Sequence, residues 1–451
     1  MVVRTSARVT AVEPPVLRQR WLDGLFPSAA RRPVRPRQVA LAAVAVLGAA
    51  ALSLARVPHG FDIVYAEDGS VFLADALTES PHKALTTPYS GYLHLAPRLL
   101  AELVTLFPAG AAPVALAVIG ALATALLALF VYVAAGARLQ TPVLRLAVAF
   151  PAALPMIGEA ELPNSITMLR WLFMYTTFWA LLWVPASRAG RVVAVVVVVL
   201  AALSDNVVAL YIPLALARVW TRRDGQGSLS LGAPLTGAMI DVSLVVTGTS
   251  THPSIAPRLD PIWAAEAFVL RPIPEALLGE HWVGMRPAHD LAGLTPVALA
   301  WLPVTLVVFA ALRRLTRPDW TLAVLACGYS IALFLFVAMV AGNATARYSL
   351  PSALLGIVAL AALLRPAVPT PTTPVRLAAQ LPPLLLLLAL ALACATSFRM
   401  ESLRSQGPRW STQLRTARVA CHSPGAREVD LAVSPYELDG HARLPCSYLL
   451  R

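Results

Sequence analysis

Lysine is all but missing from this sequence: Lys83 is the single one, and arginine supplies the rest of the 36 basic residues. Charge of either sign is sparse, 13% of residues against 58% apolar, and the mean hydropathy is +0.69. A water-exposed globular surface is excluded by that balance, since most of the chain would be insoluble as one. Cysteine is scarce too, four in 451 residues, so no disulfide framework organises the whole chain. The histidines lack the HxxxH spacing of a metal site. No phosphate-cradling glycine loop, dinucleotide fingerprint or serine nucleophile elbow occurs, which speaks against nucleotide-driven mechanisms.

What remains is apolar sequence in long runs. Runs of helix-spanning length recur from Gln38 to Phe398. The expected spans are 38–57, 112–135, 143–157, 169–185, 192–203, 206–219, 229–247, 293–312, 320–341, 350–364 and 378–398. With the N-terminus cytoplasmic, the inside connections carry Arg138 and Arg145, Arg188 and Arg191, Arg218 with Arg222 and Arg223, Arg313 with Arg314 and Arg317, then Arg365 and Arg376. Each agrees with the tendency of basic residues to stay on the cytoplasmic side. The fold class expected is therefore an all-α polytopic membrane protein of about 11 transmembrane helices. Arginine bias with abundant Ala and Leu fits a GC-rich bacterial genome, which makes the bacterial cytoplasmic (inner) membrane the expected location. For the same reason the net charge of +12 implies no nucleic-acid partner.

Three regions follow. Residues 1–37 are rich in Arg and Pro and read as a disordered cytoplasmic tail, with too long a charged stretch for a cleaved signal peptide. Residues 38–398 form the membrane domain. Residues 399–451 have soluble composition and contain Cys421 and Cys446, for which an exterior disulfide is expected because an odd number of spans puts this segment outside. Arg399, Arg404 and Arg409 right after the last span argue against that side, although long tails translocate despite charge.

Spans 192–203 and 206–219 are too short to cross about 30 Å and are separated by a polar break around Asp205. Broken helices are tolerated where they line an enclosed or watery cavity, so an internal cavity is expected. Asp205 reads either as the N-cap of the following helix or as a substrate contact at depth.

The first exterior loop, Pro58 to about Pro113, opens on the acidic pair Glu67-Asp68 in FDIVYAEDGSVFLADAL and continues to PYSGYLHLAPRLLAEL, with Tyr89, Tyr92, His94, Arg98 and Glu102. Residues 95–107 have helical spacing and charges one turn apart, which suits a helix lying on the membrane surface. One cytoplasmic start, one span, a large exterior loop opening on an acidic pair, many further spans and an exterior C-terminal segment: this order resembles the GT-C class of integral-membrane glycosyltransferases.

The resemblance implies transfer of a sugar from a polyprenyl-phosphate carrier to an acceptor on the exterior face, usually with inversion, with an acidic residue of the first loop as base. A sugar hydroxyl is a poor nucleophile until its proton is accepted, which is why the carboxylate is needed. Asp68 is the first choice and Glu67 the second, and adjacent loop residues seldom point the same way. The competing reading of Asp68 is a cap on the helix beginning near Ser70. For the donor phosphate the candidates are Arg347 with Tyr348, Arg98 and Arg271, since arginine offers planar paired donors. Arg347 reads equally as an interfacial anchor, and Arg98 as a partner of Glu102. Substrate-contact candidates are His94, Tyr89, Tyr92, Asp205 and Asn164. Glu159 and Glu161, one residue apart, make a divalent metal conceivable as cofactor, and solvated loop charge explains them as well. The partners implied are a lipid-linked sugar donor, membrane lipids, and a glycan, lipid or protein acceptor in the cell envelope. A transporter of lipid-linked glycans or a non-catalytic envelope-assembly protein are the other classes.

Overall fold

The computed structural model describes residues 24–29, 35–158, 163–248, 256–284, 291–366, 374–399, 403–435 and 440–451. Six helices among them are long and apolar enough to cross a membrane: Pro36–Arg56, Ala109–Ala137, Gly225–Val246, Gly293–Leu312, Trp320–Ala341 and Ala346–Leu363. Large apolar side chains stand outward on several of these, such as Val44 and Leu47, Met239 and Val242, Leu302 and Phe309. Contiguous outward apolar surface of this kind is stable against lipid and unstable against water. The chain is a multi-pass membrane protein on that ground.

Of the five remaining expected spans, 378–398 lies in the helix Pro374–Thr396, and the other four are shorter helices: Pro142–Ala153, Leu169–Leu182, Arg188–Ala202 and Ile212–Arg222, of 12, 14, 15 and 11 residues. At 1.5 Å per residue they reach only about 16–23 Å. Leu169–Leu182 lies enclosed, with Trp179, Tyr175 and Phe178 among the most buried side chains of the molecule. Ala346–Leu363 is enclosed as well and packs closely along Trp320–Ala341.

Local chemistry sets the helix starts. Proline stands in the first turn of Pro36–Arg56, Pro142–Ala153, Ile212–Arg222 and Pro261–Leu270, where its missing N–H costs nothing. Asp224, Asp260 and Asp319 each accept a backbone N–H as N-caps, at 2.6, 3.0 and 3.0 Å.

The connections sort into two ends. At one end Arg138 pairs with Asp319 at 3.6 Å and donates to the Gly24 carbonyl, Arg222 donates to the Phe26 carbonyl, and the Arg317 N–H bonds the Arg365 carbonyl. Arg218, fully enclosed, donates to the carbonyls of Leu181 and Trp183, satisfying the open end of the Leu169–Leu182 helix. All these arginines belong to connections expected inside. At the other end the 58–111 loop meets the break at Leu203–Asp205, the 163–168 turn, and residues 407–434. The C-terminal segment thus shares a side with the first loop.

That segment corrects the all-α expectation. Residues Glu428–Ala432 and His441–Pro445 form a two-stranded antiparallel sheet, pairing Asp430 with Arg443, beside the Trp410–Cys421 helix. Cys421 and Cys446 are disulfide-bonded, their Cα atoms 5.4 Å apart. Residues 1–23 of the expected tail, and Arg31 and Arg32, lie outside the described residues.

Candidate functional site

The acidic pair sits where the backbone turns sharply. Ala66 has φ +37°, a conformation that costs a residue bearing a Cβ, and Asp68–Leu73 follows as one turn of π-helix. The two carboxylates then face different surroundings. Asp68 is fully buried and accepts from Ser165 Oγ at 3.0 Å, Ile166 N at 3.2 Å, Thr167 N at 2.9 Å and Thr167 Oγ1 at 2.5 Å. It caps no helix of its own. Instead it satisfies the N–H groups that lead into the Leu169–Leu182 helix, some 97 to 99 positions along the chain. Glu67 is half-buried, and its Oε2 is enclosed with no hydrogen-bond partner among the described residues.

Around Glu67 lies a cluster of charges and rings. The turn Tyr89-Ser90-Gly91-Tyr92 closes with Tyr89 N to Tyr92 O at 2.9 Å and the reciprocal bond at 3.2 Å, with φ +48° and +95° at its centre. Both signs are those of the tight hairpin turn that Gly favours. Burial, and after it the Glu67 carboxylate, hold the Tyr89 hydroxyl above its usual pKa. Arg170 lies over the rings of Tyr92 at 5.7 Å and Trp171 at 4.6 Å, and reaches Asp205 at 3.9 Å. Glu67 and Arg347 are also within its electrostatic reach. Trp171 and Tyr348 have ring centroids 5.2 Å apart, and the Arg347 guanidinium lies 5.2 Å over the Tyr348 ring. Tyr89, Tyr92, Asp205, Arg347 and Tyr348 from the sequence reading therefore converge on Arg170, whose field Glu67 shares.

His94 belongs to the cluster as an aromatic surface. It stacks on Tyr92 at 4.1 Å, and burial with the nearby Arg98 charge lowers its pKa to about 3. Asp205 does what a cap does, accepting from Val207 N at 2.9 Å, while its second oxygen faces Arg170.

Three expected contacts go elsewhere. Arg98 is buried within the first loop, paired with Asp75 at 2.8 Å and donating to the Leu93 and Ala84 carbonyls; its partner is not Glu102. Arg271 is buried against Glu275 at 2.7 Å and donates to the Ala344 carbonyl. Asn164 is buried and bonds Ser53, Oδ1 to its hydroxyl at 2.7 Å and Nδ2 to its carbonyl at 3.0 Å. All three fasten the scaffold. Glu159 and Glu161 lie outside the described residues, and among the described residues no group of three or more His, Cys, Asp or Glu could hold a metal ion. A small crevice is lined by Ser53, Thr124, Pro163, Asn164 and Ser165, the last of which donates to Asp68.

Sequence reasoning missed Arg170. Its signal was present: an arginine at the end of an apolar run that is expected to be exterior breaks the charge rule and asks for a reason.

No family model and no curated protein matches the chain. Among solved structures it is similar to the oligosaccharyltransferase of Archaeoglobus fulgidus crystallised with Zn and sulfate, at 12% identity and a TM-score of 0.39, covering 84% of this chain and 55% of that one. It is also similar to the same organism's AglB in complex with an inhibitory peptide and a dolichol-phosphate, at 14% identity and a TM-score of 0.40, covering 87% and 59%. The chain spans less than two thirds of the length of either.

Proposed function

We propose that this chain is a GT-C-type glycosyltransferase of a bacterial inner membrane, with about 11 spans including the short helices and its site on the exterior face. The observation that carries the reading is the Glu67 carboxylate, one oxygen unused, in the field of Arg170 with Arg347 beside it. A proton acceptor next to two guanidiniums and several ring faces suits a phosphate-linked sugar. The rings of Tyr92, Trp171 and Tyr348 offer apolar faces for the sugar.

In this reading an acceptor hydroxyl oxygen forms a bond to the anomeric carbon as the bond from that carbon to the carrier phosphate breaks. The proton goes to Glu67. The electron pair leaves with the phosphate, whose charge Arg170 and Arg347 offset. The order of the two carboxylates is thus the reverse of the one the sequence suggests, because Asp68 has its lone pairs engaged by four donors. The short helices that break at Asp205 favour a second reading, a transporter of the same lipid-linked class.

The test uses purified protein in vesicles with a panel of polyprenyl-phosphate sugars and acceptor glycosides. Glu67→Gln should fold normally and lose transfer by about 10²–10⁴. Asp68→Asn should lose stability by about 2–4 kcal/mol, since an amide nitrogen would face donors. Full turnover in Glu67→Gln returns Asp68 to the role of base. Movement of the intact lipid across the vesicle without transfer establishes the transporter.

A further inference from the structure

The backbone that presents Glu67 is held from outside its own loop. Ser434 N donates to Val64 O at 2.9 Å and Ala66 N donates to Ser434 O at 2.5 Å, bracketing Tyr65 like a third strand. The packing leaves no room to slip. A Cβ on Gly69 would come 3.1 Å from Val433 Cγ1, and one on Gly407 would come 2.5 Å from Ser434 Cβ and 2.8 Å from Ile63 Cγ2.

Ser434 is itself anchored along two routes. Ala432, two residues before it, exchanges two bonds with Gln413, N to Oε1 at 2.6 Å and O to Nε2 at 2.9 Å, which ties it to the Trp410–Cys421 helix. That helix is fixed to the first loop through Ser411 on Asp62, at 2.8 Å for both the N–H and the hydroxyl, and through Trp410 Nε1 on Ala109 O at 2.8 Å. Its far end is joined by the Cys421–Cys446 bond to the residue that directly follows the strand His441–Pro445. The sheet, the helix and the disulfide therefore form one closed strap, and one of its contacts with the first loop is at Ala66, the residue before Glu67.

Ala66 has φ +37°, which a residue with a Cβ keeps only when its surroundings hold it. Released, it relaxes toward negative φ and reorients the next side chain. We propose that the disulfide-closed C-terminal segment is a positioning element of the site, which holds Ala66 in its left-handed turn and so aims the Glu67 carboxylate at the Arg170–Arg347 cluster. The inference rests on Glu67 as proton acceptor for its kinetic consequence. The mechanical part stands without it.

Two variants test it, Cys421→Ser/Cys446→Ser, which opens the strap, and Gln413→Leu, which leaves the disulfide and severs the tie to Ala432. Deuterium exchange of the 64–69 backbone is measured in both beside the unaltered protein, with transfer kinetics alongside. Expected is exchange faster by about tenfold in that stretch while the spans stay protected. With it, kcat should fall about tenfold and the donor KM should hold, because Arg170 and Arg347 stand on other helices. Unchanged exchange at 64–69 in both variants overturns the strap. Faster exchange with unchanged kcat overturns its role in aiming Glu67. An unaltered protein that transfers no sugar overturns the proposed function instead, and the exchange measurement still decides the strap.

Discussion

Adjacent residues of like charge can be put to unlike uses when the backbone between them turns. Asp68 lends its charge to the amides of another helix, Glu67 keeps an oxygen unused, and Arg98, nearby in the same loop, is spent on Asp75. His94 completes this division, because its ring is buried among Tyr92, Tyr89 and Phe72 and is neutral near pH 7. The pH consequence has a definite sign. Between the ordinary value of 6.5 and about 3, an unfolded chain protonates this histidine and the folded one does not. Stability contributed by neutral His94 is therefore whole above about pH 6.5 and falls on acidification, by at most about 1.4 kcal/mol per pH unit. Melting temperatures at pH 7.5 and 5 should drop more steeply in the unaltered protein than in His94→Asn, which tolerates the positive φ of this position and cannot titrate. Equal slopes would remove His94 from the acid response.

At the scale of elements, the helices too short to cross are made stable by what meets their ends. The Leu169–Leu182 helix has the amides of the turn leading into it served by Asp68 and its C-terminal carbonyls by Arg218, two charges supplied from other parts of the chain. The Arg188–Ala202 helix ends against Gly225–Val246, where a Cβ on Gly237 would stand 2.3 Å from the Ala202 carbonyl oxygen. A backbone oxygen cannot give way as a flexible side chain can. Gly237→Val should destabilise by about 1–3 kcal/mol. Gly232 in the same helix has open space around it, so Gly232→Ala should be neutral or stabilising by up to about 1 kcal/mol. Thermal unfolding of the two in one detergent compares them, and similar losses would mean that helix propensity rather than close approach governs this element.

For the whole molecule, the sorting of connections into two ends fixes which loops share a side. Arginines of four separate connections gather at one end, and the first loop, the Asp205 break and the disulfide-closed segment gather at the other. With the arginine end cytoplasmic, single cysteines placed at the exposed positions His82 and Arg415 should react with an impermeant maleimide in intact cells. One at Arg188, also exposed, should react only after permeabilisation. Labelling of the Arg188→Cys protein from outside would invert the topology and move the proposed site to the cytoplasm.

Composition and charge spacing decided the membrane character, the longer helices and the sorting of arginines, because apolar run length and flanking charge are properties of neighbours in sequence. The breaks were legible on the same grounds: Asp205 between two short apolar runs announced the cap it makes with Val207. Only the tertiary structure decided which member of the acidic pair is available, since the donors that occupy Asp68 come from residues 165–167. It alone brought Arg170 to Glu67, placed Arg98 and Arg271 inside the scaffold, and set Ser434 against Ala66. The meetings of Arg170 with Glu67 and of Ser434 with Ala66 join parts of the chain more than a hundred positions apart, and no local periodicity carries them; they are fixed by where packed helices bring loops together.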